Sequence, residues 1–230
     1  MVTETHFQKE LEELKESLLR MAALVQDAVS DAVQSIVKRD SNLIQKVFQT
    51  EEKINTMDIE VNEKCLKLLA LRQPMAIDLR FITSAMKIVT DLERMGDQAT
   101  NIAERATTLN QEPQLKPYID LPKMAEITQT MVRDVLDAFV RGDSKLARSV
   151  CERDDLVDGV NSQIFRELLT YMMADTKTIT RAVHLMSVSK CLERIADHAT
   201  NIAEDVIFMA EGKVIMHHAD EKEDKKEGDS

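Results

Sequence analysis

From Leu11 onward, apolar residues fall at Leu14, Leu18, Met21, Val25, Ala28 and Ala32, a 3,4 alternation that lays one seam along a single helix face. The spacing predicts a first helix over about residues 5 to 38,. Arg39, Asp40, Ser41 and Asn42 then supply turn and capping chemistry,. Beyond them Leu43, Val47, Ile54, Met57, Val61, Leu68 and Leu71 continue at helical spacings,. The second helix is expected to end near Pro74, because proline fixes its own φ and pushes Gln73 out of the α region. Arg72 to Met75 is thus the turn into a third helix ending near Leu109. Three such helices make one antiparallel bundle.

The stretch Asn110 to Pro122 holds three of the four prolines, too many for a helix, and reads as a linker. The pattern then restarts. A fourth helix is expected from about Lys123 to Val140, with a break at Arg141, Gly142, Asp143 and Ser144,. A fifth is expected from about Lys145 to Met172 and a sixth from about Lys177 to Ala210,. The predicted organisation is all-α: a first three-helix bundle over 1–110, a Pro-rich linker over 111–122, a second bundle over 123–212 and a charged, disordered tail over 213–230,.

Letters repeat as well as periods. Residues 92–104, LERMGDQATNIAE, match residues 192–204, LERIADHATNIAE, at ten of thirteen positions with an offset of 100. A weaker echo relates Val37–Leu43 to Val140–Leu146 at an offset of 103. The chain therefore reads as two copies of one three-helix unit.

Composition agrees. Five glycines, four prolines and 3% aromatic residues suit a bundle filled by Leu, Ile, Val, Met and Ala. The 13 methionines fall largely at seam positions such as Met21, Met57 and Met86, where they fill core space. With 41 acidic against 30 basic residues the formal charge is −11, which disfavours a grip on nucleic-acid phosphates. No 18-residue apolar run is present and the first 16 residues lack a signal-peptide pattern, so a cytoplasmic location is expected. Cys65, Cys151 and Cys191 are widely spaced and odd in number, as expected of reduced, small buried residues.

The repeat keeps its polar letters, which packing alone does not require. With Glu93 at zero on a helical wheel, Asp97, Asn101 and Glu104 lie within about 80° of it and border the apolar stripe. Two carboxylates at i and i+4 repel by roughly 0.2–0.5 kcal/mol, so keeping Glu93 with Asp97, and Glu193 with Asp197, suggests a cation between them. Iron, manganese and magnesium suit carboxylate pairs on bundle helices, and Asn101 and Asn201, one turn on, can complete the shell. The competing reading is a solvated face whose acids are neutralised by Arg94, Arg194 and their basic neighbours. Asp91 points away from the stripe and its counterpart is Cys191, so it is left out of the site. His6, His184 and His198 are read as ordinary side chains, and His217 and His218, at the edge of the charged tail, as no more than an adventitious metal site. Glu-x-x-His pairs, a P-loop, a dinucleotide fingerprint and a nucleophile elbow do not occur in the sequence, so the usual enzyme chemistries find no support.

These residues carry a resemblance. Pro74-Met-Ala-Ile-Asp-Leu-Arg80, Asp91-Leu-Glu-Arg-Met-Gly-Asp97 and Asn101-Ile-Ala-Glu104, with Leu192-Glu-Arg-Ile-Ala-Asp197 and Asn201-Ile-Ala-Glu204, resemble the signatures of the PhoU family over about residues 5 to 215. The resemblance implies two three-helix bundles related by a pseudo-twofold axis. It implies a multinuclear site for iron, zinc or another divalent metal in each bundle, at Glu93 with Asp97 and at Glu193 with Asp197. Asn101 and Asn201 are additional candidates. It further implies a non-enzymatic cytoplasmic adaptor, a homodimer, that represses the phosphate-starvation response. Its implied partners are the phosphate ABC transporter's ATPase subunit (PstB-like) and a sensor histidine kinase (PhoR-like), through which alone it approaches the inner membrane. Ala196, where the first copy has Gly96, predicts a more crowded second site. A metal-dependent bundle enzyme and a metal-independent helical adaptor are the alternatives.

Overall fold

In a computed structural model, which describes residues 6–212, the first seam is the core: Leu14, Leu18, Met21, Val25, Ala28 and Ala32 are wholly buried. Each large aliphatic side chain so buried contributes roughly 1.5–3 kcal/mol. The helices are α1 His6–Val37, α2 Ser41–Arg72, α3 Ala76–Leu109, α4 Asp120–Arg141, α5 Ser144–Ala174 and α6 Ile179–Glu211, with a 3₁₀ turn at Thr176–Thr178 leading into α6. The tail expected at 213–230, with His217 and His218, lies outside the described residues.

Sequence explains the ends. Asp40 caps α2 by accepting from the Asn42 amide at 2.9 Å. Its counterpart Asp143 caps α5, accepting from the amides of Lys145 and Leu146 at 3.0 Å each. Gln73 ends α2 with φ 46°, a left-handed turn just before Pro74. Gly142 ends α4 with φ 63°, a conformation glycine adopts without a side-chain penalty.

Two expectations shift. The Pro-rich linker is shorter than predicted, because α4 begins at Asp120 and carries Pro122 in its first turn, where the missing N–H has no helical partner to lose. On α2, Met57 is only partly buried and Leu71 is 75% exposed. A helix of 3.6 residues per turn drifts by about 20° per heptad away from a seam read at 3,4 spacing.

The helices of each half, α1–α3 and α4–α6, pack on one another, and the halves meet where α3 lies against α6 and α1 against α4. Lys87 reaches Asp205 at 2.6 Å while Arg105 reaches Ser187 at 3.3 Å, so α3 and α6 run antiparallel. The Phe81 and Phe139 rings stack at 5.1 Å between α3 and α4, and one apolar cluster runs through both halves. The linker is tied down by Lys116, buried and ion-paired to Asp120 and Glu167. Burial pushes the Cys65 thiol up to about 12, so it stays protonated and inert.

Candidate metal centre

Glu93 and Asp97 lie one turn apart on α3, Glu93 half-buried and Asp97 exposed. Acids of α2 face them. The Glu93 carboxyl is held above the usual range, first by burial and then by Asp97 and Asp58, with Arg94 opposing and Glu51 adding to the rise. Burial also lifts Asp58, against the amide of Asn62, which donates to it at 3.0 Å. Asn55 lies one turn beyond Glu51 on α2. Its Nδ2 donates to Glu51 at 2.5 Å, but its Oδ1 is buried without a hydrogen-bond partner among the described residues. A buried carbonyl oxygen without a partner, one turn from Glu51 on the helix that also carries Asp58, has the chemistry of a cation ligand,.

The second repeat places Glu193 and Asp197 alike. Asp197 is lifted by partial removal from water and then by Glu193, with Lys190 opposing, Asp158 adding and His198 opposing. Asp158 comes from α5, and by the offset of 103 it replaces Asn55. Asp154, 3% exposed, is the counterpart of Glu51. The two sites differ in one cation: Lys190 ion-pairs with Glu193, whereas the first repeat has Thr90 at that position. Neither Arg94 nor Arg194 forms an ion pair among the described residues.

Oxygen is thus the only donor in the first cluster, and carboxylate with amide carbonyl suits a hard divalent cation. The residues fit a metal in donor chemistry. In geometry they stand apart: among the described residues no three His, Cys, Asp or Glu side chains converge closely enough to hold an ion. Mutual repulsion of like charges is the physical reason to expect such separation.

The two asparagines differ in their surroundings. Asn201 places Nδ2 3.5 Å from Asp91 Oδ1, across the seam between α3 and α6, and Asn101 is half-buried one turn beyond Asp97. Asp91, set aside from the sequence, does lie off the acidic stripe. It is 8% exposed and 2.9 Å from His198 Nδ1. His198 is therefore a specific partner rather than an ordinary side chain. Sequence reasoning overlooked Glu51, Asn55, Asp58 and Asp158. The signal was present, since Asp154-x-x-x-Asp158 repeats the i,i+4 acid spacing and Glu51-x-x-x-Asn55 is its counterpart.

The repeat pairs Ala196 with a smaller residue than the one facing Gly96. A Cβ at Gly96 would lie 3.1 Å from Ile54 Cδ1, a tight contact that the end of the Ile54 side chain would have to yield to, and the counterpart of Ile54 is the smaller Val157. By the repeat, the methyl group gained at Ala196 corresponds to one lost at Val157.

The family model described as "PhoU domain" matches residues 18–106 and 121–206, once for each repeat. The phosphate-specific transport system accessory protein PhoU homolog of Aquifex aeolicus is 46% identical over 215 residues, spanning 93% of this chain and 97% of its own length. The homolog of Pseudomonas putida is 44% identical, spanning 92% and 83%. Among solved structures, the crystal structure of PhoU from Pseudomonas aeruginosa superposes with a TM-score of 0.87 at 42% identity, over 90% of this chain and 100% of that one. The phosphate transport system regulatory protein PhoU from Streptococcus pneumoniae gives 0.84 at 28% identity, over 92% and 100%.

Proposed function

The chain belongs to the PhoU family, and on that premise we propose that it is a metal-binding accessory protein that couples phosphate transport to phosphate signalling. It is an accessory protein of the phosphate-specific transport system, not an enzyme, as its relatives are named. The observation that carries the metal reading is the first acid cluster, where Asp97, Asp58 and Glu51 all raise the Glu93 carboxyl and Asn55, bonded through its Nδ2 to Glu51, keeps a buried Oδ1 without a partner among the described residues. A bound divalent cation would supply positive charge there. Glu51, Asn55 and Asp58 would hold it from α2 and Glu93 with Asp97 from α3, so that repulsion between the helices turns into a cross-link. Glu193, Asp197, Asp154 and Asp158 would do the same between α5 and α6, once Lys190 gives up Glu193. An oxygen-only donor set favours iron, manganese or magnesium over zinc, which more often takes nitrogen and sulfur ligands.

Rigid paired bundles with an acidic surface suit protein partners that present basic patches. The partners in this reading are the transporter's ATPase subunit and the cytoplasmic part of a sensor histidine kinase, with the chain acting as a cytoplasmic homodimer. No helix among the described residues is long and apolar enough to cross a membrane, so contact with a membrane would run through those partners. The test is capture of the purified ATPase subunit, and separately of the kinase's cytoplasmic part, by chelator-treated protein and by the same protein reloaded with manganese. The reading expects capture to rise on reloading and to stay low for Glu93→Ala/Asp97→Ala. Equal capture with and without metal supports the metal-independent adaptor, which the existing Lys190–Glu193 ion pair favours.

A further inference from the structure

Just N-terminal to Glu193 along α6, a cleft of 540 Å³ opens between α5 and α6. That volume falls within the range of small-molecule sites, roughly 300–1,000 Å³. Phe165 and Met186 give it an apolar wall, Arg166 and Lys190 bring cations, and Asn161, Ser162 and Ser187 offer amide and hydroxyl groups. Arg105 arrives from α3, its Nε donating to Ser187 Oγ at 3.3 Å.

Three features separate this cleft from ordinary surface. In a chain of net charge −11 its lining carries two cations and no acid. Arg166 forms no ion pair or hydrogen bond among the described residues, and Phe165 leaves 50% of its surface in water. The first repeat does not share the chemistry. At the offsets of 103 and 100, Asn161, Phe165, Arg166 and Lys190 correspond to Asp58, Asn62, Glu63 and Thr90, while Met186 corresponds to Met86. The apolar floor and the neighbouring acid pair are kept, but the charge at the mouth is reversed and an aromatic ring is added. A packing role requires neither change, because Phe165, Arg166 and Lys190 are exposed.

We propose that this cleft binds a nucleoside phosphate. The Arg166 guanidinium matches phosphate oxygens in bidentate fashion, and the Phe165 face offers a surface on which a base can stack. Lys190 now pairs with Glu193, and its long, flexible stem lets the ammonium turn to a phosphate beside it. Inorganic phosphate alone would leave most of the cleft, and the ring, unused.

The test is isothermal titration calorimetry of the full chain with AMP, inorganic phosphate and adenosine as separate titrants. AMP is expected to bind at one site per chain and more tightly than either of the other two. Arg166→Glu, which installs the first repeat's residue, is expected to weaken AMP by about tenfold or more. Phe165→Asn is expected to weaken AMP while leaving inorganic phosphate unchanged. Both side chains are exposed, so unchanged thermal melting checks that each variant folds. No AMP binding up to millimolar concentration, an unchanged affinity in Arg166→Glu, or inorganic phosphate binding as tightly as AMP would each overturn the proposal. Glu93→Ala/Asp97→Ala is expected to bind AMP normally, so failure here and failure of the metal reading are told apart.

Discussion

Glu93 is the residue at which burial and charge conflict most openly. Its carboxyl is raised above 4.5 by burial, Asp97, Asp58 and Glu51, so the folded protein binds that proton more readily than the unfolded chain does. Stability then rises as pH falls through the raised value, is fully gained below 4.5, and is lost again as pH climbs toward neutral. For metal-free protein, Glu93→Gln is expected to raise the melting temperature at pH 7 by about 2 °C. The difference from wild type should vanish in calorimetric scans below 4.5, the group's ordinary value. With manganese present the order should reverse, because the variant would lack one of the proposed ligands. A residue that destabilises the empty protein and stabilises the loaded one has a binding role, whereas an ordinary surface glutamate would move neither scan.

At the scale of helices, Gly96 and Ile54 set how closely α3 approaches α2. Gly96→Ala places a Cβ 3.1 Å from Ile54 Cδ1, and the crowding is expected to cancel the roughly 1 kcal/mol that alanine gains over glycine inside a helix and to leave a net loss of about 1 kcal/mol. Adding Ile54→Val, the pairing present as Ala196 and Val157 in the second repeat, is expected to recover most of the loss in a urea titration. The caps are a second check. Asp143→Ala removes an acceptor for two amides and is expected to cost about 1 kcal/mol, lowering the melting temperature by about 2–4 °C. These elements were readable in the chain because the 3,4 seams of α1 and α3 and the aspartates before α2 and α5 each announce themselves locally. Pro122 misled the reading, since proline is as much at home in a first helical turn as in a linker. The compensation between Ile54 and Gly96 was hidden, because it depends on which residue faces which across two helices.

In the whole molecule, the pseudo-twofold axis runs through the contact of α3 with α6. An offset of 100 turns the Lys87–Asp205 pair into Ser187–Arg105, and both contacts are made. It turns Asp91–His198 into Cys191–Gln98, where Cys191 is buried and Gln98 Oε1 has no partner among the described residues. The two halves are therefore joined by an asymmetric polar seam. His198→Ala would leave Asp91, whose side chain is 11% exposed, with only the long 3.5 Å contact from Asn201, at a cost of about 1–3 kcal/mol. Replacing Gln98 should cost much less, and chemical denaturation of the two variants measures the contrast. The repeat exposed Glu93, Asp97, Glu193 and Asp197 in the sequence, but their α2 and α5 partners surfaced only once helices 40 residues apart were set side by side. Asn101 and Asn201 followed from spacing along one helix, which does not reveal that Asp91 of the other half lies beside Asn201.

The claim on which this account rests is that the acid clusters are cation sites. Elemental analysis after equilibrium dialysis against manganese and iron tests it directly, on wild type, Glu93→Ala/Asp97→Ala and Glu193→Ala/Asp197→Ala, with helical content followed by circular dichroism. Each double variant is expected to keep its helices and lose its own share of bound metal, with the loss at the first cluster the larger because, among the described residues, no lysine ion-pairs with Glu93 as Lys190 does with Glu193. Equal metal content in all three proteins, or none in the wild type, would contradict it and leave the acidic stripes as solvated faces.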